Sequence, residues 1–122
     1  MKIAVTASGN NGLDANVDVR FGRAPYFAIV DTDSMEVNTI NNQGSGASHG
    51  AGVRAAQIIA DQGVDGVISG NFGPKAFSGL QTANVRLYSF KSGTVKDAIE
   101  ALKNDNIEEI SGPTSQAHSG LR

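Results

Sequence analysis

Apolar and polar positions along this chain follow two periods. Residues 2–8, KIAVTAS, are an almost unbroken apolar run and predict a buried strand. Residues 9–20 are polar and glycine-rich and predict a loop. PYFAIVDT, residues 25–32, is rich in aromatic and β-branched side chains and predicts a second strand. Asp33 and Ser34 fit a two-residue turn into a third strand, 35–40, where Met35, Val37 and Thr39 share one face. So short a connection implies an antiparallel hairpin. Residues 41–50, NNQGSGASHG, read as a loop.

Helical spacing takes over after residue 50. In 51–62, Arg54, Gln57 and Asp61 form one polar stripe and nearly everything else is apolar, so this helix should pack broadly on the sheet. Gly63 stands where a left-handed C-cap belongs. VDGVIS, 64–69, is a short strand, and Gly70 to Gly73 form a loop. Pro74 suits the first position of a helix over 74–83 that buries Phe77 and Leu80. VRLYSF, 85–90, is the last expected strand. Thr94 with Asp97 makes a capping-box signature for a helix over 94–104. Its Val95, Ala98, Ile99 and Leu102 lie on one face, and Lys96, Asp97, Glu100 and Lys103 on the other. The acidic segment 105–109 reads as a solvated helix end, and residues 111–122, including His118, as a mobile tail.

The order β-β-β-α-β-α-β-α predicts a single α/β domain over 1–110, in three layers α/β/α. The later strands, joined through helices, should be parallel, and the initial hairpin makes the five-stranded sheet mixed. Phe21, Tyr26 and Phe27 are expected in the core. A length of 122 residues suits one domain, and 39% apolar with 18% charged residues is a globular composition. The formal net charge of −2 provides no global basic field for nucleic acid or anionic lipid. The absence of cysteine excludes thiol nucleophiles and thiolate-held metals or clusters. The apolar run at the start is too short for a signal-peptide core, so a cytoplasmic location is the expectation.

The loop GSGASHGAG invites a phosphate reading. From Gly44 and Gly46 it departs from GxGxxG, because His49 occupies the third glycine position, and no Gly-Lys pair of a Walker loop occurs. HExxH is absent, and two histidines 69 positions apart are weak metal evidence. The element order is similar to that of ribonuclease H-like nucleases, whose first strand carries a metal-binding carboxylate. KIAVTAS carries none, which argues against a nuclease.

Three segments, VDVRFGRAPYFAIVD, SHGAGVRAAQIIADQGVDGVISGNFGPKAF and GTVKDAIEAL, together resemble the dinitrogenase iron–molybdenum cofactor-binding domain family. That family includes nitrogenase-cofactor carriers, the orange protein with its molybdenum–copper sulfide cluster, and small stand-alone proteins. The resemblance covers residues 1 to about 110 and implies a ribonuclease H-like fold with a mixed five-stranded sheet. It also implies a non-catalytic carrier of an iron–molybdenum or molybdenum–copper sulfide cluster. Many members carry His immediately before the Phe-Gly pair. Here that residue is Arg20, which cannot coordinate a metal as imidazole does.

Metal–sulfide clusters are anions, and an anion can be held by backbone N–H groups at helix N-termini, glycine-rich loops and nearby cations. In an open α/β sheet the loops at the carboxyl ends of the parallel strands line the ligand crevice. On that ground Arg20, Arg23, His49, Gly50, Gly52, Asn71, Gly73 and Lys75 are the candidate cofactor-binding residues, with His49 the candidate metal ligand. Each has a plainer reading. The arginines can pair with Asp14, Asp18 or Asp31, His49 can be an ordinary loop residue, and the glycines can serve tight turns. Lys75 opposes the dipole of its own helix, a small cost that an anionic ligand would offset. Two further readings compete with the carrier. One is an enzyme or regulator that binds a phosphorylated small molecule in the same crevice. The other is an adaptor whose strand edge or tail docks a cofactor-assembly protein, an ATPase or a ferredoxin.

Overall fold

β1 (Lys2–Ala7) is apolar on both sides because helices cover both faces of the sheet it centres. A computed structural model describes residues 1–46 and 49–112. β2 (Tyr26–Asp31) pairs antiparallel with β1, and β3 (Val37–Asn41) antiparallel with β2. α1 (Ala51–Asp61) leads to β4 (Gly66–Ser69), which lies parallel to β1 on its other side. α2 (Pro74–Thr82) crosses to β5 (Arg86–Ser89), parallel to β4. α3 (Val95–Lys103) follows, and the sheet order is β3-β2-β1-β4-β5-β6. This is the expected three-layer mixed α/β fold.

The sheet has six strands rather than five, because the acidic segment is not a helix end. Asp105 adopts φ +57°, the chain reverses, and β6 (Glu108–Glu109) pairs antiparallel with β5. Ile110 is then buried, its N–H donating to the Leu87 carbonyl, while Arg86 pairs with Glu109 at 3.1 Å. The hairpin also differs. Asp31 accepts from the N–H groups of Asp33 and Ser34, and Met35 turns the chain at φ +63°. The connection therefore spans residues 32–36, and Met35 belongs to the turn rather than to β3.

Other sequence signals act as expected. Gly63 takes φ +66° after α1, Pro74 opens α2, and Thr94 and Asp97 form both bonds of a capping box. Two apolar layers result. On one face Phe27, Val67 and Leu87 pack with Ile59 of α1 and Phe77 and Leu80 of α2. On the other, Ile3, Val5, Val30 and Ile68 pack with Val95, Ala98 and Ile99 of α3. Phe21 and Phe27 are buried as expected, and Tyr26 is half-buried. Among the described residues no helix is long and apolar enough to cross a membrane. Of the expected tail, residues 113–122, His118 among them, lie outside the described residues.

Candidate functional site

Strand direction decides which loops meet. β1 ends at Ala7, β3 at Asn41 and β4 at Ser69, and the register Ala7–Tyr26–Asn41 puts these ends on one side of the sheet. The segment 16–20 crosses this side as an extended strap. The Asp18 N–H donates to the Thr6 carbonyl at 2.9 Å, the Val17 N–H to Gly93, and the Asn71 N–H to Val19. Thr6 Oγ1, itself buried, donates to the Asp18 carbonyl at 2.6 Å.

Glycine makes the close crossings possible. A Cβ on Gly22 would lie 2.9 Å from the backbone nitrogen of Gly52, so the Arg20–Ala24 turn rests directly on the first turn of α1. A Cβ on Gly70 would lie 2.6 Å from Cβ of Val19. Buried Asn42 ties in the third loop. Its side-chain amide donates to the carbonyls of Gly22 and Ala24, and its Oδ1 accepts from the Gly44 N–H. Loops 16–24, 42–52 and 70–75 thus form one structure at the carboxyl ends of the parallel strands.

Between them lies a cleft of about 240 Å³ lined by Val19, Arg20, Phe21, Gly22, Asn71, Gly73 and Ala76. Of the candidate residues, Arg20, Asn71 and Gly73 line it, and Gly52 abuts its Gly22 wall. Gly50 is the N-cap of α1 at φ +72°, and Gly73 is the N-cap of α2; neither helix has a side-chain cap. The first-turn backbone N–H groups of both helices therefore have no acceptor from a cap side chain. Arg23 is not drawn into this cleft but donates to the Ser45 carbonyl at 3.1 Å, bracing the loop before α1. Lys75 is exposed on the first turn of α2, and His49 is exposed just before Gly50. No group of three His, Cys, Asp or Glu side chains suited to a metal occurs among the described residues.

The partner of Arg20 is Asp18. Nε and Nη2 of Arg20 donate to the two carboxylate oxygens at 3.0 and 2.9 Å, and the Arg20 N–H adds a bond to Oδ1. Burial pushes the Asp18 carboxyl up, but the Arg20 side-chain and backbone bonds, its charge and Ser8 together hold it below the ordinary range. Asp18 is 6% exposed, whereas the Arg20 side chain remains 61% exposed. The guanidinium is thus fixed at the cleft wall with much of its surface toward solvent.

Asp18 was one of three carboxylates open to the arginines on sequence alone, and the structure selects it for Arg20, while the apolar wall that Val19 and Ala76 form with Phe21 had no sequence signal. An Asp two residues before an Arg in a loop has no period to reveal the pair. Phe21 sits within 5.2 Å of Phe72 and 5.9 Å of Phe27, ring centre to ring centre, which anchors the strap from below. A reading in which no serine stands in a GxSxG arrangement fails on the sequence itself, because Gly46-Ala47-Ser48-His49-Gly50 has that spacing of a nucleophile elbow. That motif needs a sharp strand-to-helix turn. Residues 42–50 separate β3 from α1 here, and Ser48 lies outside the described residues.

A family model described as dinitrogenase iron–molybdenum cofactor matches residues 1–105. Among solved structures, the apo form of the orange protein from Desulfovibrio gigas superposes with a TM-score of 0.87 at 38% identity, covering 93% of this chain and 96% of that one. A Thermotoga protein with a provisional NifB name superposes with a TM-score of 0.82 at 35% identity, covering 95% of this chain and 98% of that one. An uncharacterised protein of Methanocaldococcus jannaschii is 29% identical over 113 residues, 90% of this chain and 92% of that protein.

Proposed function

The chain belongs to the dinitrogenase iron–molybdenum cofactor family, and from that premise we propose that it is a non-catalytic binding or carrier protein for an anionic metal–sulfide cluster of molybdenum–copper or iron–molybdenum type. The observation that carries the reading is a cleft lined by the glycine-capped N-terminus of α2, with an arginine fixed in its wall and the start of α1 packed directly behind its Gly22 side. Backbone N–H groups at a helix start attract negative charge and demand no particular ligand geometry. With no cysteine in the chain, the cargo is held by charge and amide contacts rather than by thiolate bonds. Arg20 and the amides around Asn71 and Gly73 form the inner contacts, with Gly50 and Gly52 at the start of α1. Arg23, Lys75 and His49 stand further out, His49 as the one imidazole among the described residues that is available to a metal ion. The likeness to the orange protein supports a carrier role, and the likeness to the Thermotoga protein supports a place in cofactor assembly, with an assembly protein, ATPase or ferredoxin as partner.

Anaerobic reconstitution tests the reading. Metal-free protein is incubated with tetrathiomolybdate and copper, or with an iron–molybdenum–sulfide source, then desalted, and metal and visible absorption are measured in the protein peak. Near-stoichiometric co-elution is expected, with only a partial loss in Arg23→Ala/Lys75→Ala, whose side chains stand outside the inner contacts. A colourless, metal-free peak in both mixtures overturns the carrier role.

A further inference from the structure

The two edges of the sheet are built differently. β6 is two residues long, both glutamates, and Arg86 is clamped to Glu109. Short, charged edges of this kind resist pairing with another chain. β3 is five residues long, Val37-Asn38-Thr39-Ile40-Asn41, and carries no charge and no proline. The Asp31 N–H donates to the Glu36 carbonyl, and the Asn42 N–H to the Pro25 carbonyl. Antiparallel ladders alternate, so Glu36, Asn38, Ile40 and Asn42 bond inward to β2, and Val37, Thr39 and Asn41 aim their backbone groups outward. None of these three outward residues has a backbone partner beyond the strand among the described residues.

We propose that β3 is the seam of a two-fold dimer of this chain. An axis through Thr39 pairs Thr39 with its own copy and Val37 with Asn41 of the second copy, which forms about six backbone hydrogen bonds and opposes no like charges. Five residues of strand are a short interface, and a stable dimer needs more contact than the ladder supplies. α1 supplies it. Arg54, Ile58 and Asp61 fall at i, i+4 and i+7, one stripe of the helix. Ile58 and Asp61 line the open groove of about 490 Å³ beside Thr39, Ile40 and Asn41, and Arg54 lies against Gly44 at the far end of the same strand. The stripe reads positive, apolar, negative. A two-fold axis normal to the sheet sets the copies of α1 antiparallel on one face. Arg54 then faces Asp61 of the second copy, twice, around the half-buried Ile40 and Ile58. The surface is complementary to itself in charge as well as in ladder.

Sedimentation equilibrium of the full chain across a concentration series tests this. A concentration-dependent dimer is expected. Arg54→Glu and Asp61→Arg should each weaken it about tenfold or more, and the double reversal should restore it. Thr39→Lys, which puts like charges on the axis, should also dissociate it while circular dichroism stays unchanged. Hydrogen exchange should protect the amides of Val37, Thr39 and Asn41 only at concentrations where the dimer forms. A monomer at every concentration, a dimer indifferent to these substitutions, or an edge that pairs only with an added extended peptide overturns the proposal.

Discussion

Asp18 is a buried carboxylate held chiefly by Arg20, two residues away, with a longer bond from the Ser8 hydroxyl. Replacing it with Asn removes the charge and keeps the shape, and should cost about 1–2 kcal/mol at pH 7, since hydrogen bonds between charged groups are worth more than neutral ones. The pH dependence follows from the direction of the shift. The folded protein holds this carboxyl below its ordinary value of 3.8, so the stabilisation is complete above that value and is lost as the pH falls through the folded value. Thermal unfolding of wild type and Asp18→Asn should differ most at neutral pH and converge as the pH falls below the folded-state value of Asp18. Asp31 and Asp97 are also held low, by backbone N–H bonds from Asp33 and Thr94, but they are common to both proteins and cancel. A gap that persists undiminished in acid would show that Asp18 acts by packing alone. The same pair affects any test of Arg20. Arg20→Ala strands a buried charge, so lost ligand binding in that variant is interpretable only beside the Arg20→Ala/Asp18→Asn double variant.

Among the elements, the contrast between the starts of the helices carries the most information. α3 has a full capping box, its Thr94 side chain accepting from the Asp97 N–H at 3.1 Å. Thr94→Ala should therefore lower stability by about 1 kcal/mol, read as a lower denaturant midpoint at an unchanged slope. Glu109→Ala, which breaks an exposed ion pair on the short β6, should cost well under that. A larger loss at Glu109 than at Thr94 would mean that β6 anchors the sheet. This contrast also marks what the sequence made legible. Caps, the left-handed Gly63, Pro74 and the apolar periods of the strands, α1 and α3 are local signals, and they located the three α-helices and the first five strands, but not the short 3-10 turn at Gly12–Asp14. β6 was illegible because two glutamates in a row have no strand period; only Ile110 packing and the Arg86 contact create it. The hairpin was misjudged because the Asp31 side chain caps its own turn, an option that turn length alone does not reveal. In the site, the glycines were legible as turns, but the reason for Gly22 is its contact with Gly52, 30 positions on, which exists only after folding.

For the whole molecule, a net charge of −2 and a cluster-binding role are compatible only if the attraction is local. Helix starts and cleft amides act over a few ångströms, while exposed Arg23 and Lys75 act over the range that salt screens. The two contributions can be separated. A ligand that binds only the folded chain raises stability by about 1.4 kcal/mol for each tenfold of free ligand beyond saturation. Tetrathiomolybdate should therefore raise the melting temperature in proportion to the logarithm of its concentration. If the inner amides dominate, raising salt from 50 to 500 mM should shift the onset of this rise only modestly. The Arg23→Ala/Lys75→Ala variant should lose the salt-sensitive part and keep the slope. Inorganic phosphate at equal concentration should produce a smaller shift, because the half-apolar walls of Val19, Phe21 and Ala76 favour a large, weakly hydrated anion over a small, strongly hydrated one. Equal shifts from phosphate and thiomolybdate would remove that selectivity and favour a phosphorylated ligand for the same cleft.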